Sequence, residues 1–199
     1  MLTSVILIVL SGILFALVHS MLAKNTFKSK CYALGLTQQH YRLAYTMIAV
    51  LSTVAWLIFT HSLPDRALYE VTGIWRWQLY AILVAGLTLL VLSVKSVEIM
   101  PFLGLANFTN DTEPFREHGI YRIVRHPMYT GIMLLMYAQP SQSVNNLVLF
   151  TVIAIYFIVG SRFEESRMLD SHPEYRDYCR RVPAFIPGLK PGNRHSRHR

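Results

Sequence analysis

Two polar clusters carry the chemistry available to this chain. The first, Arg125-His126-Pro127-Met128-Tyr129-Thr130-Gly131, stands at the start of an apolar run. Proline is accepted in the first turn of a helix, where its missing N–H costs nothing, so the spacing predicts a helix beginning at Pro127 with His126 at its cap and Arg125 just outside. A helix start exposes unpaired amide donors and a partial positive charge, a natural seat for a carboxylate or phosphate. Tyr129 and Gly131 then offer an aromatic face and a gap without a side chain, which could together admit a flat ring. The plainer alternative makes Arg125 and His126 headgroup-level anchors and Tyr129 part of an interfacial aromatic belt.

The second cluster is Arg162-Phe163-Glu164-Glu165-Ser166-Arg167-Met168-Leu169. Arg162, Glu165 and Leu169 share a helical face by their spacing, while Glu164 points about 100° away from Glu165. Adjacent carboxylates at a membrane boundary are costly unless used. The expected pairing is Glu165 with Arg162, which leaves Glu164 to accept hydrogen bonds from hydroxyls such as those of a ribose. An ordinary surface helix with salt-bridge pairs is the alternative.

The elements that must position these clusters are set by composition. Of 199 residues, 53% are hydrophobic and 15% charged, and the mean hydropathy is +0.35, well away from soluble averages. Apolar stretches run from about Leu2 to Ala23, Leu43 to Thr60, Leu79 to Val94 and Met128 to Val159. They are too long and too numerous for the first to be merely a cleaved signal peptide. The last is interrupted by Gln139-Pro140-Ser141-Gln142-Ser143, whose proline and polar residues have the composition of a turn. At about 20 residues per bilayer crossing, the reading is five spans in an all-helical membrane protein, the last two a short hairpin.

Basic residues test the sidedness. Lys24, Lys28, Lys30 and Arg42 follow the first span, Arg116, Arg122 and Arg125 the third, and Arg162, Arg167, Arg176, Arg180 and Arg181 the fifth. The intervening loops balance or lack charge, with Arg66 and Arg76 offset by Asp65 and Glu70. The positive-inside rule then puts the N-terminus outside and the C-terminus in the cytoplasm. The net charge of +8 follows this topology rather than nucleic-acid binding, with attraction to anionic headgroups. Cys31 and Cys179 fall on the reducing side without metal-site spacing, so neither a disulfide nor a metal site is expected. Three parts follow: residues 1–100 with three spans; residues 101–189 with a loop, the hairpin and a C-terminal segment; and a basic, unstructured tail at 190–199. The loop carries Asn107, Asp111, Glu113, Pro114, Arg116, Glu117 and His118, and loops of that length are commonly functional.

Together the clusters resemble the isoprenylcysteine carboxyl methyltransferase family and its prokaryotic relatives, integral membrane enzymes that use S-adenosylmethionine. The matching residues are Gly119, Tyr121, Arg125, His126, Pro127, Tyr129, Gly131, Arg162, Glu164, Glu165 and Leu169, then Tyr175, Tyr178, Arg181 and Pro183. The resemblance implies a cytoplasm-facing cofactor pocket and a substrate entering from the bilayer. Gly119, Tyr121, Arg125, His126, Tyr129, Gly131 and Glu164 would bind the cofactor, and Arg162 and Glu165 would act near the methyl group. The segments Leu17 to Lys24 and Tyr41 to Tyr45 look more like the methanethiol S-methyltransferase branch and the haem-associated carotene-isomerase-like proteins of the same superfamily. A small thiol, a lipophilic carboxylate and a phospholipid amine all suit a pocket opened to the bilayer, and this likeness tilts toward a small or lipophilic thiol over a prenylated protein. His19 could take a proton from a thiol, ligate haem or anchor a helix end. The alternatives are a haem-binding isomerase-like protein with His19 and His126 as axial ligands, a sterol-reductase relative, for which the chain has too few spans, and a non-catalytic scaffold, which leaves both clusters without a purpose.

Overall fold

A computed structural model of the chain describes residues 1–97, 99–106 and 115–189. Glu98, the loop residues Asn107, Asp111, Glu113 and Pro114, and the tail from Lys190 lie outside the described residues. The elements in order are α1 (Leu2–Ala23), α2 (Asn25–Ala33), α3 (Gln38–Ser62), β1 (Ala67–Glu70), α4 (Ile74–Lys95), α5 (Ile99–Leu103), a 3-10 turn (Gly119–Arg122), α6 (Pro127–Tyr137), β2 (Ser141–Ser143), α7 (Val144–Ser171) and α8 (Tyr175–Arg181).

Among the described residues four helices, α1, α3, α4 and α7, are long and apolar enough to cross a membrane. Their large apolar side chains are displayed rather than hidden, with Leu14 63% and Ile58 66% exposed. Helices apolar all round satisfy every backbone group internally, and hydrocarbon is the solvent such surfaces require.

Two compact units divide the chain. The first comprises Met1–Trp75, Val97–Thr109 and Pro140–Tyr156. Its core is Ile8, Trp56 and Leu149, with Phe15, Val152 and Ile153 packed against them. Gly12 allows this approach, since a Cβ there would stand 2.5 Å from Val152 Cγ1 and 2.8 Å from Trp56 Cζ2. The Trp56 indole N–H finds its acceptor in Ser11 Oγ at 3.0 Å.

The same unit contains a departure from an all-helical fold. β1 and β2 pair antiparallel, with Tyr69 opposite Gln142 and Glu70 opposite Ser141, and Val71 N–H donates to the Pro140 carbonyl at 2.7 Å. The segment read as a simple turn is therefore half strand, because its partner lies some seventy residues earlier, beyond the reach of any local pattern. Beside the sheet, Asp65 Oδ1 accepts from the Arg66 N–H at 2.7 Å and the Asn145 N–H at 3.0 Å, so a distant carboxylate satisfies the first turn of α7. Burial works against this charge, but the Ser143 hydroxyl and these two amides hold the Asp65 carboxyl below its usual range.

The second unit comprises Arg76–Ser96, Asn110–Gln139 and Phe157–Arg199. The hairpin expected as two short helices has one short and one long arm: α6 has 11 residues and α7 has 28. At 1.5 Å per residue α6 is about 16 Å long and α7 about 42 Å. α6 crosses α4 backbone to backbone. A Cβ on Gly131 would lie 2.7 Å from Gly86 O and 3.0 Å from Leu90 N, and one on Gly86 would lie 2.9 Å from Leu134 Cβ. The gap at Gly131 that the sequence offers to a flat ring is thus filled by α4, in the manner of small-residue helix contacts in membranes.

Gly131→Val should therefore destabilise the protein by about 1–3 kcal/mol, because the clashing atoms are backbone and cannot swing aside. Gly160→Ala in α7, where a Cβ meets nothing within 4 Å, should leave stability unchanged or raise it by up to about 1 kcal/mol. Thermal unfolding midpoints in one detergent, measured side by side, check the contrast.

Candidate active site

The site is built where α6 begins. Pro127 occupies the first helical position and His126 is the N-cap residue, as the sequence predicts. Upstream, Gly119 enters the 3-10 turn at φ +60, a left-handed backbone that glycine adopts without a Cβ penalty. Nothing lies within 4 Å of where its Cβ would be. On α7, Glu164 and Glu165 come up opposite.

Glu165 Oε1 receives two donors, Arg125 Nε at 2.7 Å and His126 Nε2 at 2.9 Å. A carboxylate only accepts, so the His126 Nε2 carries the proton. The other imidazole nitrogen, Nδ1, lies 3.8 Å from Glu164 Oε2, and the Tyr129 hydroxyl donates to the same oxygen at 3.3 Å. The side chains of Arg125 and His126 are 9% and 4% exposed and that of Glu165 21%, whereas Glu164 is 36% exposed. Tyr129 stacks on Phe157 at 4.6 Å and on His126 at 5.7 Å.

A strap formed by residues 182–186 closes the cluster. Arg125 N–H donates to Pro183 O at 2.9 Å and His126 N–H to Ala184 O at 3.0 Å. The Arg125 guanidinium NH1 group donates to the carbonyls of Cys179, at 3.0 Å, and of Val182. Thr130 Oγ1 bonds Phe185 O at 3.0 Å, and the Phe185 ring lies 5.3 Å from the imidazole. Burial works to discharge the Arg125 guanidinium, yet its bond to Glu165 outweighs this and holds it charged. The strap continues from α8, where Tyr175, Tyr178 and Val182 are buried with Phe115, Met168 and Leu169. Tyr178 OH donates to Tyr121 O at 2.6 Å, and Arg181 pairs with Glu117. Burial pushes the Tyr175 and Tyr178 hydroxyls and the Cys179 thiol up from their usual ranges.

Of the residues singled out in the sequence, Arg125, His126, Tyr129, Glu164 and Glu165 come together. Tyr121 meets Tyr178 of α8 through its carbonyl. Gly131 faces α4, and Arg162 is exposed on α7. The cation that pairs with Glu165 is Arg125 from another segment rather than Arg162 from the same helix, because a half-buried carboxylate gains most from a cation that is itself removed from water. Thr130 and Phe185 are the contributors the sequence does not announce; Thr130 sits inside the motif and could have been suspected, while Phe185 has no signal beyond lying two residues after Pro183.

The site leaves an acceptor-only carboxylate, Glu164, beside a pair of stacked rings, an arrangement suited to hydroxyls and a flat base. It does not favour axial ligation of haem. His126 Nε2 is committed to Glu165, and His19, in the first unit, bonds Phe15 O through Nδ1 at 2.9 Å with Nε2 at 3.4 Å from Ser52 Oγ. Among the described residues there is no group of three or more His, Cys, Asp or Glu side chains able to hold a metal ion.

Comparison with known proteins gives consistent results. The family described as NnrU protein matches residues 7–186. Methanethiol S-methyltransferase 2 of Bradyrhizobium diazoefficiens is 29% identical over 88% of this chain and 70% of its own length. Methanethiol S-methyltransferase 1 of the same organism is 30% identical over 92% and 67%, and the Pseudomonas deceptionensis enzyme 26% identical over 89% and 70%. No solved structure matches.

Two outcomes follow from the geometry. Arg125→Met strands the Glu165 carboxylate and two carbonyls, and should cost about 3 kcal/mol, whereas Arg162→Met should stay within about 0.5 kcal/mol; thermal unfolding separates them. The raised Cys179 thiol stays protonated at neutral pH, so its alkylation by iodoacetamide at pH 7.5 should be slower than that of an unstructured cysteine peptide. The rate should climb only as pH passes above the ordinary thiol range, which mass spectrometry of the Cys179 peptide reads.

Proposed function

Because the chain belongs to the NnrU family, with methanethiol S-methyltransferases among its relatives, we propose that it is a membrane methyltransferase that uses S-adenosylmethionine to methylate a small or lipophilic thiol. The observation that supports the reading best is the convergence of Arg125, His126, Tyr129, Glu164 and Glu165 on one site. The residues present suit the donor. Glu164, the most exposed of the charged groups there, can accept from ribose hydroxyls, and the Tyr129 and Phe157 rings offer an apolar face to a flat base.

In the proposed topology α1, α3, α4, α7 and the shorter α6 make five passes, the N-terminus is outside, and the site faces the cytoplasm. The acceptor arrives from the bilayer, where apolar surface concentrates a lipophilic thiol.

When bound, S-adenosylmethionine supplies a sulfonium methyl group whose transfer leaves a neutral thioether. The protein's task is placement, since well-oriented reactants lower the barrier by about 7–11 kcal/mol relative to free encounter. Glu164 and Tyr129 hold the nucleoside end. Glu165, fixed by Arg125 and His126, would orient the acceptor toward the methyl group, and the exposed Arg162 on the same helix would help from outside that cluster. An acceptor thiol would lose its proton to bulk water before transfer, and its sulfur would then take the methyl group that S-adenosylmethionine supplies, with the neutral thioether as leaving group. Excluding water keeps the thiolate poorly solvated and reactive.

Purified protein in nanodiscs, given S-adenosylmethionine and methanethiol, should release dimethyl sulfide into the headspace, as read by gas chromatography. Glu164→Gln should weaken S-adenosylhomocysteine binding by about tenfold, the loss expected for charge-assisted hydrogen bonds, with the unfolding midpoint retained. Absence of methyl transfer to methanethiol and to longer alkyl thiols alike would reject the thiol acceptor.

A further inference from the structure

The strap invites a question that the motif residues leave open: what fixes the orientation of the buried imidazole? His126 is held by its backbone N–H to Ala184 O and by Nε2 to Glu165, but neither contact by itself stops the ring from turning about its side-chain torsions. Its nearest aromatic neighbours are Tyr129, at 5.7 Å and an interplanar angle of 18°, and Phe185, at 5.3 Å and 31°. Tyr129 belongs to α6 and has its own partners in Phe157 and Glu164. Phe185 belongs to the strap, and its backbone carbonyl is tied to α6 by the Thr130 hydroxyl at 3.0 Å. Thr130 also bonds His126 O at 3.0 Å, so one buried hydroxyl joins the residue bearing the imidazole to the residue whose ring packs on it.

We propose that Phe185 is a positioning residue, which packs on the His126 imidazole and thereby holds Nε2 on the Glu165 carboxylate. The inference deepens the methyltransferase reading, on which its catalytic consequence rests. A ring turned over about its Cβ–Cγ bond would put Cε1 where Nε2 stands and release the imidazole's choice of tautomer, and Glu165 would keep Arg125 while losing the geometry that two donors impose. Ring packing of this kind shifts a two-state balance by roughly two- to tenfold, enough to set a population of ring orientations and too little to decide folding. An aliphatic side chain of similar volume would fill the space without the flat ring edge and face that hold the imidazole at its 31° tilt.

The test uses the full-length protein in nanodiscs with nitrogen-labelled histidine, without substrate. The wild-type His126 signal, identified by its loss in His126→Gln, should report a single Nε2-protonated form. Phe185→Leu should give a mixture of the two tautomers, and Phe185→Tyr should restore the single form. In parallel, Phe185→Leu should lower kcat for thiol methylation at least tenfold, since small misplacements of reacting groups have effects of that size, with S-adenosylhomocysteine affinity within threefold and Phe185→Tyr rescuing turnover. A wild-type tautomer in Phe185→Leu would overturn the proposal, as would wild-type kcat in a variant whose tautomer had changed. Lack of methylation by the wild-type protein would overturn the functional reading, while the imidazole spectrum, recorded without substrate, would still decide the role of Phe185.

Discussion

One oxygen atom carries the organisation of the second unit. Glu165 Oε1 takes bonds from Arg125 Nε and His126 Nε2, residues 40 and 39 positions away along the chain. A charge drawn partly out of water must be paired and hydrogen-bonded or it is strongly unfavourable, so α7 cannot settle until the start of α6 has reached it. Arg125 passes the requirement on. Its NH1 group donates to the Cys179 and Val182 carbonyls, which brings α8 and the strap to the same place. Three segments well separated in sequence are thus fixed by the demand of a single carboxylate for donors.

The apolar frame answers a different constraint. α6 is too short to bury much surface, and its lower turns are located by a close crossing with α4 rather than by bulk. Gly86 and Gly131 remove the side chains that would keep the two backbones apart. Lipid offers no hydrophobic incentive for helices to associate, so contact must come from van der Waals fit and polar links. The glycine crossing supplies the first and the Arg125, His126 and Glu165 cluster the second. In the first unit, Gly12 with Trp56 and Val152 repeats the logic of close approach, and Asp65 on the Asn145 amide repeats the polar tie between segments distant in sequence.

How much of this could be read from the chain depends on whether the cause is local. The start of α6 was legible because Pro127 and His126 satisfy a rule about adjacent positions, and the apolar spans because length and composition suffice. The gathering of Tyr129, Glu164 and Glu165 was legible through motif resemblance. The partner of Glu165 was not, since spacing on one helix favours Arg162 while tertiary burial selects Arg125. The sheet was hidden for the same reason: Ser141–Ser143 becomes a strand only because Ala67–Glu70 lies alongside. Gly131 was misread in its purpose, because a missing side chain announces close approach without saying what approaches.

The two adjacent carboxylates then acquire unequal roles from geometry alone. Successive residues on a helix point about 100° apart, so Glu164 and Glu165 cannot share an environment. Glu165 turns to Arg125 and His126, and exchanging its charge would unsettle the strap as well as the start of α6. Glu164 keeps a larger exposed fraction and a long 3.3 Å contact from the Tyr129 hydroxyl, a bond weak enough to yield to a better donor. A ligand with hydroxyl groups could replace that contact without disturbing the ion pair behind it. The pair of carboxylates therefore divides between a buried ion pair and a more exposed acceptor, although the two residues are neighbours in the chain.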